Sequence, residues 1–339
     1  MDTLSKRIDA LESLGDYFSN FDEKKPEYIS FVEAIEKATT ENGWFTKEEC
    51  FYAITYWGTV LEKVNIQEWI SPYALLENQS PKTIALVLAG NIPMVGFHDI
   101  LTVWITGNTP LIKCASKDKV LIPFVIKNNP LLKSISLFTE EKLQDFDAVI
   151  ATGSNNSARY FDYYFAKYPS LIRKNRNGVA VLNGKETKSE LENLGRDMLQ
   201  YFGLGCRNVA KLYLPNGFDL NRIFSGIYPL SSIIDVNKYS NNYDYNRSVF
   251  LMSEFDFYDN GFFILKEDTA ISSPIACVFY EYYDDANKLM DQLKYQKDNI
   301  QCIVTNEPYP NAVSFGQTQI PRLSDYADGV DTIEFLKSL

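Results

Sequence analysis

Four loops of this chain carry residue types that can do chemistry, and each follows a stretch that reads as a strand or a helix. Ala89-Gly90-Asn91-Ile92-Pro93 combines a glycine that frees the backbone, a proline that delays the next helix, and the Asn91 amide, which can donate to an oxyanion. The same residues also suit a plain Gly-Asn turn. In the second loop Lys113 closes a strand, and Ser116, Lys117 and Lys119 follow. A lysine at a strand's carboxyl end can meet ribose or phosphate, or it can belong to a solvated basic loop. Ala151-Thr152-Gly153-Ser154 joins a strand to a helix, so its backbone N–H groups can face an anion with the helix dipole behind them. Gly-Ser at a helix start is equally an ordinary N-cap. In the fourth loop, Gly203-Leu204-Gly205-Cys206-Arg207-Asn208, Arg207 can lower the Cys206 thiol pKa from about 8.5 toward neutrality. The alternative is a small buried hydrophobe.

Other chemistries lose support. His98 is the only histidine, so multi-histidine metal sites and a Cys-His pair on any other histidine are excluded, no Ser-His-Asp triad is signalled, and His98 itself reads as structural. Neither GxxxxGK[ST] nor GxGxxG occurs. Cys50, Cys277 and Cys302 lie in periodic patterns that read as core, and Cys114 flanks the strand-end lysine. Five cysteines without a CxxC signal neither a disulfide framework nor a zinc site, which points to a reducing, cytoplasmic setting.

The elements that position these loops follow from periodicity. The first 75 or so residues read as helices, with Leu4, Ile8, Leu11 and Leu14 on one face and Thr46-Lys47-Glu48-Glu49 as a capping box. From Pro81, apolar strands at 84–89, 110–113, 134–138, 148–152 and 179–182 alternate with helices near 96–105, 118–127 and 155–167. This alternation predicts a mostly parallel, doubly wound sheet that binds ligands beyond the carboxyl ends of its strands. A second unit begins near Gly178, with a helix over 188–202 and strands at 209–214, 249–252, 262–265, 277–282 and 302–304. Asn237 to Arg247, rich in Asn and Tyr, reads as a solvated loop.

A length of 339 residues predicts about two domains. Hydrophobic residues at 45% and charged residues at 23% fit a globular chain. The net charge of −11 argues against a nucleic-acid partner. The N-terminus lacks a secretory signal, and the longest apolar stretches fall far short of the roughly 20 residues that span a bilayer.

In order, an Asn-Ile-Pro turn, a strand-end lysine, a Thr-Gly-Ser turn and a glycine-flanked cysteine resemble the aldehyde dehydrogenase superfamily. Ser273-Pro274-Ile275 resembles its late Gly-Pro turn, and Ser314-Phe315-Gly316-Gln317 its Phe-Gly-Gly segment, so the resemblance runs from about residue 81 to the C-terminus. Gly90 to Gly96, followed by Gly107-Asn108, Lys113 and Ser116-Lys117-Asp118, is most similar to the long-chain acyl-CoA reductase family, the fatty-acid reductase subunit of bacterial bioluminescence type. The implied fold is α/β and aldehyde dehydrogenase-like. A doubly wound Rossmann-type cofactor domain with the N-terminal helices takes 1–177, and an α/β catalytic domain takes 178–325. A C-terminal strand or tail over 326–339 would pair with another subunit's sheet edge in a homodimer.

By that likeness Cys206 is the acyl-accepting nucleophile and Asn91 an oxyanion donor. Lys113 and Ser116 would contact the adenosine ribose, and Gly153 and Ser154 the pyrophosphate. Three departures shape the expected reaction. Alignment puts Ile172 where oxidising members carry a general-base glutamate, so water is poorly activated against an acyl-cysteine and reduction is favoured. Ser116 replaces the acid that binds a free 2′-hydroxyl, with Lys117 beside it, so NADPH is the expected cofactor. The glutamate before the late turn is absent; Ala270 stands there, with Glu267 close in sequence. The expected function is NADPH-dependent reduction of an acyl-CoA or other activated acyl thioester to an aldehyde. An acyl-CoA or acyl-protein donor and an acyl-activating enzyme are the expected partners. The alternatives are an acyl-holding or scaffolding subunit, and an oxidising aldehyde dehydrogenase.

Overall fold

The Thr3 hydroxyl accepts a hydrogen bond from the Lys6 N–H and starts α1 (Leu4–Ser19), which buries Leu11, Leu14 and Phe18. Three helices follow: α2 (Ile29–Glu41), α3 (Lys47–Val60), capped by Thr46, and α4 (Lys63–Ile70). The structure, a computed structural model, describes residues 3–73 and 80–339, so residues 74 and 75 of the expected helical stretch lie outside the described residues. The chain divides into two units, residues 1–174 with 322–339, and residues 175–321.

In the first unit the chain continues through β1 (Thr83–Val87), α5 (Phe97–Ile105), β2 (Thr109–Lys113), α6 (Leu121–Asn128), α7 (Pro130–Ile135) and β3 (Leu137–Phe138). It then forms β4 (Ala148–Thr152), α8 (Asn155–Tyr164) and β5 (Ser170–Arg173). The five strands are parallel, in the order β3-β2-β1-β4-β5. Ile84, Ala85 and Leu86 of the central strand are fully buried, as expected of a parallel strand covered on both faces. Connections run outward from β1 to β2 on one side and reach β4 on the other, which makes the carboxyl end of β1 the topological switch point. The expected strand over 134–138 shrinks to two residues. Asn129 caps α7 at the Leu132 N–H and Pro130 takes its first position, which carries the helix through Ile135.

The second unit contains β6 (Asn177–Val181), α9 (Lys188–Leu199), β7 (Val209–Pro215), α10 (Asn221–Ile227) and α11 (Asn237–Met252). After these come β8 (Tyr258–Asp259), β9 (Ile264–Glu267), β10 (Cys277–Tyr283), α12 (Ala286–Tyr295) and β11 (Ile300–Val304). Its sheet runs β11-β6-β7-β10-β9-β8, parallel except for β8. The expected loop over 237–247 and strand over 249–252 are instead one helix, α11. It buries Tyr239, Tyr243, Asn246 and Phe250, steps of four, three and four that trace one helical face.

The C-terminal segment corrects a further expectation. Residues 332–337 form a helix (Thr332–Lys337) rather than a strand, because Asp331 accepts the Glu334 N–H at 3.0 Å and Ile333 and Leu336 turn into the core. Residues 322–339 belong to the first unit. The half-buried His98 ring pairs with the Leu323 carbonyl at 2.9 Å. Trp69 Nε1–H donates to the Tyr326 hydroxyl at 2.8 Å, and Tyr73 donates to Asp331 at 2.6 Å. Desolvation holds the His98 pKa below its ordinary value, which keeps the ring neutral in this structural role. On β5, Arg173 binds both Asp99 carboxylate oxygens at 2.6 Å and Thr332 Oγ1 at 3.0 Å.

Candidate active site

Three loops leave the level carboxyl ends of β1, β2 and β4, where Val87 pairs with Lys113 on one side and Ala151 on the other. They bring Asn91, Lys113 with Ser116, and Gly153 with Ser154 to one edge of the first sheet. Gly90 lets the Asn91 turn pack on the β2–α6 loop: a Cβ there would lie 2.7 Å from the Ala115 Cβ and 3.2 Å from the Asp118 N. Asp118, only 3% exposed, fastens the same two loops. Its Oδ2 accepts the Met94 N–H at 3.2 Å, which holds Met94 at a left-handed φ of 56°. Burial pushes the Asp118 carboxyl up to about 6, while the Met94 and Leu121 N–H groups pull the other way.

A cleft of about 460 Å³ opens between β2, α6 and the end of β3; Lys113, Ser116, Lys119, Lys127 and Phe138 are among its lining. Lys113 Nζ donates to the Glu141 carbonyl at 2.8 Å. Lys117 does not line this cleft, and its carbonyl accepts the Asn42 amide at 3.2 Å. The basic lining expected from Lys117 comes instead from Lys119 and from Lys127, one helix further on. At the end of β4, a Cβ on Gly153 would lie 2.8 Å from the Ser157 Cβ and 2.9 Å from the Phe161 ring. Ser154 accepts the Ser157 N–H at 3.2 Å and caps α8.

Cys206 belongs to the second unit, in the connection from α9 to β7 at the amino edge of that sheet. The approach is strained: Tyr201 (φ 53°), Phe202 (φ 59°) and Gly203 (φ 74°) are left-handed in succession. For the two buried aromatic residues this costs on the order of 1–3 kcal/mol each. Asn208 donates its backbone N–H to the Gly205 carbonyl at 3.0 Å, which closes a turn with Cys206 and Arg207 at its corners. Arg207 Nε donates to the Thr318 carbonyl at 2.5 Å. The buried Asp197 on α9 accepts the Gly316 N–H at 2.7 Å and the Thr318 N–H at 3.0 Å, fixing the Ser314 to Gln317 segment in this unit. Burial pushes Asp197 up to about 6.

Burial also pushes Cys50, Cys114, Cys277 and Cys302 up to about 12, so at neutral pH those four remain thiols. Cys206 is half-buried. The late turn lies at the same sheet edge, and Ser273, Pro274 and Ile275 share a small cavity of about 30 Å³ with Phe202 and Gly203. Glu267 closes β9, and the Ala270 N–H donates to Asp268 just beyond it at 2.9 Å.

No family model and no curated protein matches the chain. Solved structures do resemble it. A NAD-dependent benzaldehyde dehydrogenase from Corynebacterium glutamicum aligns with a TM-score of 0.64 at 11% identity, over 86% of this chain and 74% of its own. The chain has the aldehyde dehydrogenase fold. An E. coli NADP-dependent enzyme gives a TM-score of 0.62 at 12% identity, covering 96% of this chain and 84% of its own. An indole-3-acetaldehyde dehydrogenase in complex with NAD+ gives 0.62 at 10% identity, covering 85% and 69%.

Within this aldehyde dehydrogenase-like fold, sequence reading missed Lys127, Asp118, Asp197 and the Asn208 side chain. Asp197 had a visible signal: it falls three residues after Leu194 and beside Met198 on the buried face of α9, where an acid needs buried donors.

Proposed function

We propose that the protein is an NADPH-dependent acyl-thioester reductase in which Cys206 takes the acyl group. The observation that carries the reading is Cys206 itself. It stands, half-buried, at the corner of a closed turn reached through the left-handed run Tyr201 to Gly203, whereas Cys50, Cys277 and Cys302 are buried in the core. Its thiolate would attack the carbonyl carbon of an acyl-CoA or acyl-protein thioester, and the donor thiol would leave. Asn91 would donate to the oxyanion. Ile172, an apolar residue of β5, offers no base to water, so the acyl-cysteine would persist until reduced.

The first-unit edge fits a dinucleotide. Gly153 lets the turn after β4 close on Ser157 and Phe161, so that the α8 N-terminus, capped by Ser154, would meet a pyrophosphate, and Lys113, Ser116, Lys119 and Lys127 suit a phosphorylated ribose. Bound NADPH would supply the hydride that frees the acyl group as aldehyde. An acyl-activating enzyme is the proposed source of acyl groups, and a homodimer the proposed assembly.

Intact mass after mixing with a long-chain acyl-CoA, with and without NADPH, tests this. The expected result is an acyl adduct that Cys206→Ala abolishes and NADPH discharges as aldehyde. An adduct that NADPH leaves in place would make the protein an acyl-holding subunit. A second reading, oxidation of an aldehyde, is favoured by the solved relatives described as dehydrogenases. It predicts NADP+ reduction on adding a long-chain aldehyde and no adduct from acyl-CoA.

A further inference from the structure

One side chain holds both flanks of the Cys206 turn. Asn208 is 2% exposed, and its Oδ1 accepts the N–H of Gly205, the residue just before Cys206, at 2.8 Å. Its Nδ2 donates to the carbonyls of Asp197 at 3.0 Å and Gln200 at 2.9 Å. These carbonyls stand at the carboxyl end of α9. The Asn208 carbonyl accepts the Gly178 N–H at 2.9 Å, which anchors the same residue to β6. The turn is thus closed twice, by backbone and by side chain, and tied at once to the helix before it and the strand beside it. Among side chains of this length only an amide offers an acceptor and two donors. A carboxylate would face two carbonyl oxygens, and an apolar side chain would remove all of these hydrogen bonds.

We propose that Asn208 is the positioning residue for the Cys206 thiol, an inference that rests on the reading of Cys206 as acyl acceptor. The left-handed run Tyr201 to Gly203 persists only if the surrounding structure over-determines it, and Asn208 supplies the constraint on the far side of the cysteine. Removing it lets the turn relax and moves the sulfur off the line of attack. A misplacement of about 1 Å costs on the order of 100-fold in rate.

The test uses the full chain as wild type, Asn208→Ala, Asn208→Ser and Cys206→Ala. Three quantities are read: the rate of acylation by a long-chain acyl-CoA, the NADPH Kd by fluorescence, and the pH profile of Cys206 carbamidomethylation. Asn208→Ala is expected to slow acylation on the order of 100-fold with NADPH affinity in the wild-type range. Asn208→Ser, which keeps one hydroxyl, should recover part of the rate, and it carries the test alone if Asn208→Ala does not fold. Wild-type acylation in a folded variant overturns the proposal, as does a loss matched by equal loss of NADPH affinity. If wild-type Cys206 is never acylated, the acyl-acceptor reading falls. Carbamidomethylation, which needs no acyl donor, still decides Asn208: an unchanged rate and pH profile in the variants overturns its role.

Discussion

Asp118 and Asp197 are acids whose burial raises their pKa from 3.8 to about 6. The folded chain therefore binds these protons more tightly than the unfolded chain. The stability this lends is fully present below about 3.8 and is lost as pH rises through about 6. Asp118→Asn removes one such group. Urea midpoints at pH 4 and pH 7 should then differ less favourably toward acid than in wild type, and an identical difference would show that Asp118 does not titrate this way. At this scale the sequence was readable where a residue type restricts chemistry. Gly153 and Cys206 drew attention as residue types that can sit at a crowded strand end or attack an acyl group. Asn208 and Asp118 did not, because their importance lies in partners distant in the chain or in backbone groups that any residue carries.

At the scale of elements, the Arg173–Asp99 pair joins β5 to α5 with both side chains 7% exposed. Arg173→Met would leave the Asp99 charge buried and uncompensated, so a loss of about 3–5 kcal/mol is expected in equilibrium urea unfolding. A loss below 1 kcal/mol, the range of surface pairs, would mean that the pair is hydrated. Apolar runs made β1 and β4 legible, since a strand buried on both faces has no polar alternation to confuse. α11 was hidden for the opposite reason. Its buried face is built largely of Tyr239, Tyr243 and Phe250 among asparagines, so counting tyrosine as polar erases the helical stripe. The helix Thr332–Lys337 was obscured by alternation at Val330, Thr332 and Glu334, although Asp331 three residues before Glu334 is a readable cap.

At the scale of the molecule, the two units each carry a sheet and a core of their own. Calorimetric enthalpy should therefore exceed the van't Hoff value, and NADPH should raise the transition of the unit that holds Lys113, Gly153 and Ser154. Hydrogen exchange resolves which unit responds. Protection gained only within 175–321 would contradict the placement of the cofactor at β1, β2 and β4. The alternation of strands and helices foretold the α/β architecture. It did not foretell that the chain returns to the first unit, because the contacts of Leu323, Tyr326 and Ile333 span more than 200 residues of sequence.

That return sets an order of events during synthesis. Residues 175–321 are contiguous and can complete their sheet as soon as they leave the ribosome. The first unit is made earlier but finished later. Until residues 322–337 emerge, Trp69 and His98 lack Tyr326 and Leu323, and Arg173 lacks Thr332. The earlier-born half thus waits with exposed aromatic surface, the condition in which a nascent chain recruits chaperones.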